Sequence, residues 1–203
     1  MACKYILCDR NGNLINEWNR YFTNYGNVSV QQGRFFQTRC AAVVSPANSL
    51  GMMRGGLDYY LSIFFDRNTP TLCQEFGIEI SAALSSPSLA KKFRSRLDWT
   101  IEKEVKLKIK EKYNGVLPVG EAVLVKTGYP QMPFLISAPT MENPGSLCPP
   151  EQVYNCMCAI IMLAEREKLS PILVPGLGTG FGKVKPVECA EEMERAFAGI
   201  YKK

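Results

Sequence analysis

Cys40-Ala-Ala-Val-Val-Ser-Pro-Ala-Asn-Ser-Leu-Gly-Met-Met-Arg-Gly-Gly-Leu-Asp58 is the stretch that decides the fold. Its first six residues form an unbroken run of small and β-branched side chains, as in a strand buried on both faces. The run breaks at Pro46 into a glycine-containing loop, and Tyr59 to Phe65 then reads as a helix. Ile172-Leu-Val-Pro-Gly-Leu-Gly-Thr-Gly-Phe-Gly-Lys183 repeats the device, a buried strand followed by a glycine-rich turn and a terminal helix from Glu188 to Tyr201. In α/β folds, ligands sit at the carboxyl ends of strands. Glycines let backbone N–H groups approach an anion without obstruction by Cβ, and a helix N-terminus adds a favourable dipole. Two such loops predict a cleft for a diphosphate. Neither is a Walker loop, and neither matches the complete dinucleotide fingerprint after the first strand.

Outward from these loops, Lys4 to Cys8 reads as a first strand and Leu14 to Phe22 follows helical spacing. Asn27 to Gln31 predicts a second strand ending near Gly33, Gly120 to Thr127 and Phe134 to Ala138 two more, and Val153 to Lys168 a long apolar helix. Strands and helices alternate with short connections and no repeat or linker. The expectation is one α/β domain over residues 1–203, a three-layer α/β/α sandwich with a mixed, mostly parallel central sheet.

The 203 residues include no histidine, which removes Ser-His-Asp and Cys-His machinery, His-ligated metals and the usual neutral-pH base. The eight cysteines show no CxxC pair, so no metal or cofactor is expected, and they read as reduced, mostly buried thiols. With no leader-like or membrane-spanning run, the expectation is a cytoplasmic protein without a membrane partner. The net charge of +5 is confined to Lys91–Lys112, with nine basic and four acidic residues. That window reads as one helix, with Ile101, Val105, Ile109 and Tyr113 on one face and pairs Glu102/Lys106 and Glu104/Lys108 along it. A solvated helix face is its ordinary meaning. A nucleic-acid surface is the alternative.

Val44-Ser-Pro-Ala-Asn48 followed by Gly55-Gly-Leu-Asp58 resembles the macro domain signature, in the divergent form with a Ser-Pro-Ala-Asn-Ser first loop. Val174 to Gly182 resembles that family's second loop, and Phe134-Leu-Ile-Ser-Ala-Pro139 its strand ending in proline near the ligand. The resemblance implies ADP-ribose or a derivative as the bound partner. It assigns Ser45, Pro46, Ala47, Asn48, Gly55, Gly56, Pro139, Gly178, Thr179, Gly180, Phe181 and Gly182 to the cleft, with Asn48 at the distal ribose and Phe181 as a lid. Some members hydrolyse ADP-ribosyl or ADP-ribose 1″-phosphate linkages, and here Asn48 and Asp58 would be the catalytic pair; a non-catalytic sensing or sequestering module is the other outcome. The chain departs from the family at Gly33-Arg34, where an aspartate usually accepts from the adenine amine. Arg34 has no acceptor, although it has the means to stack on a base or meet a phosphate. Arg54, Lys183 and Lys185 lie in or beside the loops and would favour an additional phosphate if they converged.

Overall fold

The computed structural model describes residues 2–201. Strands β1 (Tyr5–Asp9), β2 (Val28–Gln32), β3 (Ala42–Ser45), β4 (Val123–Lys126), β5 (Phe134–Ser137) and β6 (Ile172–Val174) form one sheet in the order β2-β1-β6-β3-β5-β4. Every neighbouring pair is parallel except β4 with β5. The mixed, mostly parallel sheet is therefore as expected. Its central strands are apolar throughout because both faces are covered.

Side-chain alternation sorts the core into two layers. Ala42, Val44, Ile136, Ile172 and Val174 face α1 (Gly12–Tyr21), α7 (Pro150–Arg166) and α8 (Pro186–Tyr201), joining a cluster that includes Trp18, Ile160 and Phe197. Val43, Leu135 and Leu173 face α2 (Gly56–Phe64) and α6 (Thr100–Tyr113), meeting Leu61, Val105 and Ile109. Six of the eight cysteines are buried in this interior. Burial holds the thiols of Cys3 and Cys148 up at about 11 and those of Cys8 and Cys40 at about 12.

Three features correct the sequence reading. The helix after the first loop begins at Gly56, three residues before Tyr59; Asp58 stands in its first turn, as the helix N-terminus after Gly56 implies. Residues 69–93 fold into three short helices, α3 (Thr69–Phe76), α4 (Ile80–Ser85) and α5 (Pro87–Phe93). Pro at the first turn of α3 and α5 and a left-handed Gly77 closing α3 punctuate them. The basic window 91–112 is accordingly not one helix. It straddles the end of α5, a turn, and α6, whose Ile101, Val105 and Ile109 are buried as expected. Lys106 pairs with Glu102 at 2.8 Å, but Lys108 turns to Glu111 at 3.0 Å rather than to Glu104.

Candidate functional site

A cavity of about 700 Å³ opens where the carboxyl ends of β1, β2, β3, β5 and β6 converge. Sheet order sets its layout. At one end lie Cys8–Asn11 after β1 and Gly33, Phe35 and Phe36 after β2; in the middle lie the two glycine loops after β6 and β3; at the far end lie Thr140 and Met141 beyond β5. Five strands at about 4.8 Å spacing span roughly 19 Å.

The second loop is shaped by close approach. A Cβ on Gly182 would lie 2.5 Å from the Gly178 carbonyl oxygen and 2.6 Å from Cys148 Cβ, so only glycine fits that backbone. Gly178 itself has φ +69°. The loop is anchored by Asp9, whose Oδ2 accepts from Gly176 N at 3.2 Å while its Oδ1 accepts from Asn11 N at 2.9 Å. The N–H groups of Gly178 to Gly182 donate to no protein acceptor among the described residues. At α2, Gly55 is the N-cap and offers no side chain, so the N–H groups of Gly56, Leu57 and Asp58 lack intrahelical partners. Phe181, 57% exposed, arches over Gly55 and Gly56, its Cε2 3.3 Å and 3.4 Å from where their Cβ atoms would stand.

The first loop is held from behind. Asn48 donates through Nδ2 to the Met52 carbonyl at 2.7 Å, and its Oδ1 accepts from the N–H groups of Leu50 and Met52 at 3.2 Å each. Asn48 thus braces its own turn while lining the cavity. Buried Glu102 of α6 accepts from Met53 N at 2.9 Å, from Lys106 at 2.8 Å and from Arg54. Burial alone would raise its pKa; the hydrogen bonds from Lys106, Met53 and Arg54 outweigh that and hold it below the usual carboxylate range.

Asp58 is the reverse case. Ser45 lies two residues beyond Val43 and so faces α2, where its hydroxyl donates to Asp58 Oδ1 at 2.7 Å. No cation pairs with this carboxyl among the described residues. Burial pushes the Asp58 carboxyl up to about 7, against a smaller lowering by Ser45. A carboxyl poised at neutrality on a cavity wall can exchange a proton in either direction.

Of the sequence-predicted residues, Pro46, Ala47, Asn48, Gly55, Gly56, Asp58, Gly178, Thr179, Gly180, Phe181 and Gly182 are brought to this one wall. Ser45 and Pro139 are not on it: Ser45 stands behind Asp58, and the wall beyond β5 is made by Thr140 and Met141. Arg34 is exposed and off the wall, while its neighbours Phe35 and Phe36 line it. Lys183 and Lys185 are off the wall too, with Lys185 near Glu188 at 3.6 Å; Arg54 is on it, its guanidinium paired with Glu102. The three cations do not converge on a further phosphate. Sequence reasoning missed Asp9, Arg10, Asn11, Tyr60, Leu84 and Thr140, all lining residues. The Asp-Arg-Asn turn directly after the first strand was the signal that could have found three of them.

A second opening, about 810 Å³, lies near the β4–β5 hairpin and is lined by Phe64, Phe65, Asp66 and Tyr129. Asp66 there accepts from the N–H groups of Asn68, Asp98 and Thr100, and Thr127 donates to the Met132 carbonyl. These two polar side chains are spent on the fold, so the size of the opening alone does not make it the better site.

Residues 83–193 match the macro domain family, a span that includes the second glycine loop and leaves the first outside it. The chain belongs to the macro domain family. Among solved structures it is similar to the macrodomain of Mycobacterium tuberculosis DarG, with TM-score 0.53 and 16% identity over 84% of this chain and 89% of that one. It is also similar to the macrodomain of Thermus aquaticus DarG, with TM-score 0.53 and 15% identity over 83% and 89%. Both are fold likenesses. In sequence, an uncharacterized protein of Aeropyrum pernix is 28% identical over 83% of this chain and 69% of its own length. An uncharacterized protein of Aquifex aeolicus is 28% identical over 82% and 78%. No helix among the described residues is long and apolar enough to cross a membrane.

Two arginines of this region have aromatic partners. Arg54 lies over Trp99 at 4.8 Å and Arg94 over Tyr59 at 5.5 Å. Each such ring face is occupied by a guanidinium, which leaves it unable to serve as a base-stacking platform on that side.

Proposed function

We propose that this macro domain binds ADP-ribose or an ADP-ribose derivative in the cavity between its two glycine loops. The carrying observation is the convergence of unengaged backbone donors: five consecutive N–H groups from Gly178 to Gly182, and three at the start of α2, bordering one cavity. Such donors are pre-organised for the oxygens of a diphosphate, and the helix dipole adds to them. Phe181 covers this stretch as a lid over the adjoining ribose. Pro46, Ala47 and Asn48 shape the far end, and Asn48 holds the distal ribose through what its bracing bonds leave free. The roughly 19 Å run from the β2 end to the β5 end suits an elongated ligand with sugars on both sides of its phosphates.

Isothermal calorimetry of ADP-ribose tests the reading. Saturable one-to-one binding, lost when inorganic phosphate alone replaces the ligand, is expected. No heat with ADP-ribose in large excess refutes it.

The position of Asp58 favours a second, hydrolytic reading, with a carboxyl near neutrality able to take a proton from a water attacking the distal ribose linkage. Incubation with ADP-ribose 1″-phosphate followed by mass spectrometry separates the two. Product that disappears in Asp58→Asn supports turnover; a bound but unchanged ligand leaves a binding module.

A further inference from the structure

The base end of the cavity has a different chemistry from its middle. Phe35 and Phe36 line it after β2, with their rings 5.3 Å apart and edge-on, and Tyr60 and Leu84 close it from α2 and α4. These are apolar walls for a flat ring. Several hydrogen-bond acceptors there already take protein donors. The Gly33 carbonyl accepts from Cys8 Sγ at 2.8 Å and from Gln31 Nε2 at 3.2 Å. The Leu84 carbonyl meets Arg10, and both oxygens of Asp9 take backbone N–H groups. Among the described residues, Asp9 is the only carboxylate on this part of the wall.

Donors are not engaged to the same degree. Arg10 leaves β1 one residue after Asp9, lines the cavity and is exposed. Its side chain makes one hydrogen bond among the described residues, a long contact of 3.5 Å from Nη2 to the Leu84 carbonyl. A guanidinium carries five N–H donors in a planar fork, so this contact engages only one of them. That fork matches two adjacent acceptors on a ring edge, the six-position oxygen and N7 of a 6-oxopurine. Adenine offers N7 but presents an amine beside it, and two donors then face each other. Arg34 cannot take this role, because it points to solvent away from the wall.

We propose that Arg10 reads the base edge, and that this site accepts a nucleoside diphosphate ribose bearing a 6-oxopurine at least as well as one bearing adenine. This rests on the diphosphate-ribose reading above. It makes Arg10 a specificity-determining residue, acting on one end of the ligand while the glycine loops hold the other.

The test is calorimetric titration of wild type, Arg10→Leu and Arg10→Lys with ADP-ribose and with its hypoxanthine analogue, which differs in that one substituent. Wild type should bind the hypoxanthine ligand as tightly as ADP-ribose or more tightly. Arg10→Leu should weaken the hypoxanthine ligand about tenfold and ADP-ribose by much less, as expected for a bidentate contact. Arg10→Lys keeps the charge without the fork and should also lose the hypoxanthine advantage. A wild-type preference for adenine overturns the proposal and hands base reading to Asp9. Equal weakening of both ligands by Arg10→Leu overturns it too, because Arg10 is then a charge and not a reader. If neither ligand binds wild type, the diphosphate-ribose reading fails first, an outcome distinct from either of these. Arg10 is exposed, so unchanged melting temperatures should certify the variants as folded.

Discussion

Replacing Asp58 with Asn should make the protein more stable at neutral and alkaline pH, not less. The folded carboxyl is held up at about 7 from an ordinary 3.8, chiefly by burial. Between those two values the native state binds more protons than the unfolded state. Stability therefore falls as pH rises through this window and is flat above it. At about 1.36 kcal/mol per pKa unit the full penalty is ~4 kcal/mol, and access of water from the cavity brings the working figure to about 2–4 kcal/mol. Two effects oppose it. Asp58 sits in the first turn of α2, where the dipole favours a carboxylate by about 0.3–1 kcal/mol. Ser45 donates to it, a bond that Asn retains through its own Oδ1. Burial wins by magnitude.

Paired thermal melts of wild type and Asp58→Asn from pH 4 to pH 8 read the difference directly, since every other carboxylate is common to both. The two should coincide near pH 4 and separate progressively, with the variant higher by roughly 4–16 °C at pH 8 for a chain of this size. A gap that stays constant across the range would show that Asp58 does not titrate there. A variant that melts lower at pH 8 would show that the ionised carboxylate contributes to the fold, and the proton-exchange role given to it would go as well.

Three further outcomes follow from the geometry. Gly182→Ala should destabilise the fold by about 1–3 kcal/mol, because its Cβ meets backbone at 2.5 Å; an unchanged melting temperature in scanning fluorimetry contradicts the close approach. Glu102→Gln should cost about 1–3 kcal/mol at pH 7, the buried figure being reduced because Lys106 and Arg54 are about half exposed. Its folded pKa is depressed, so that contribution is present above the unfolded value of 4.5 and disappears as pH falls through the folded one; urea melts at pH 7 and pH 3 should differ for wild type by more than for the variant. Phe181→Ala removes an exposed ring lying over Gly55 and Gly56, and should weaken ADP-ribose by about three- to tenfold in calorimetry while leaving the melting temperature in place.

The parts of this site that were legible in the sequence are those where backbone carries the chemistry. A buried strand that ends in glycines can be read in one dimension, because glycine placement reports the backbone demand directly and needs no distant partner. That is why Gly55, Gly56 and Gly178 to Gly182 could be named, and why all of them line one wall. Ser45 and Pro139 are different, because side-chain direction and not backbone demand decides their place. Their neighbours line the cavity, but the two-residue alternation of a strand turns Ser45 towards α2, and a chain bending past β5 presents Thr140 in place of Pro139. The basic window failed for a related reason. Its charge pattern is continuous, yet Leu97 is buried in the turn before α6 and Trp99 takes a left-handed conformation, and together they break it into two helices.

The base end was illegible for a topological reason. Its residues come from the ends of β1 and β2 and from α4, separated by some 75 positions, and are neighbours only because β1 is inserted beside β6 with β2 outside it. Loop motifs inside one segment cannot announce that juxtaposition. The same sheet order explains why the departure at Arg34 is not a simple loss. The position next to Gly33 swings out to solvent at φ 55°, Phe35 and Phe36 turn inward in its place, and the wall beside them is completed by Asp9 and Arg10 from the adjacent strand. The polar groups bordering this end of the cavity therefore come from the end of β1 and not from the position after Gly33. Base selectivity in this macro domain is therefore a question about Arg10, a residue the family signature does not mention, and about whether its donors outweigh the single carboxylate beneath it.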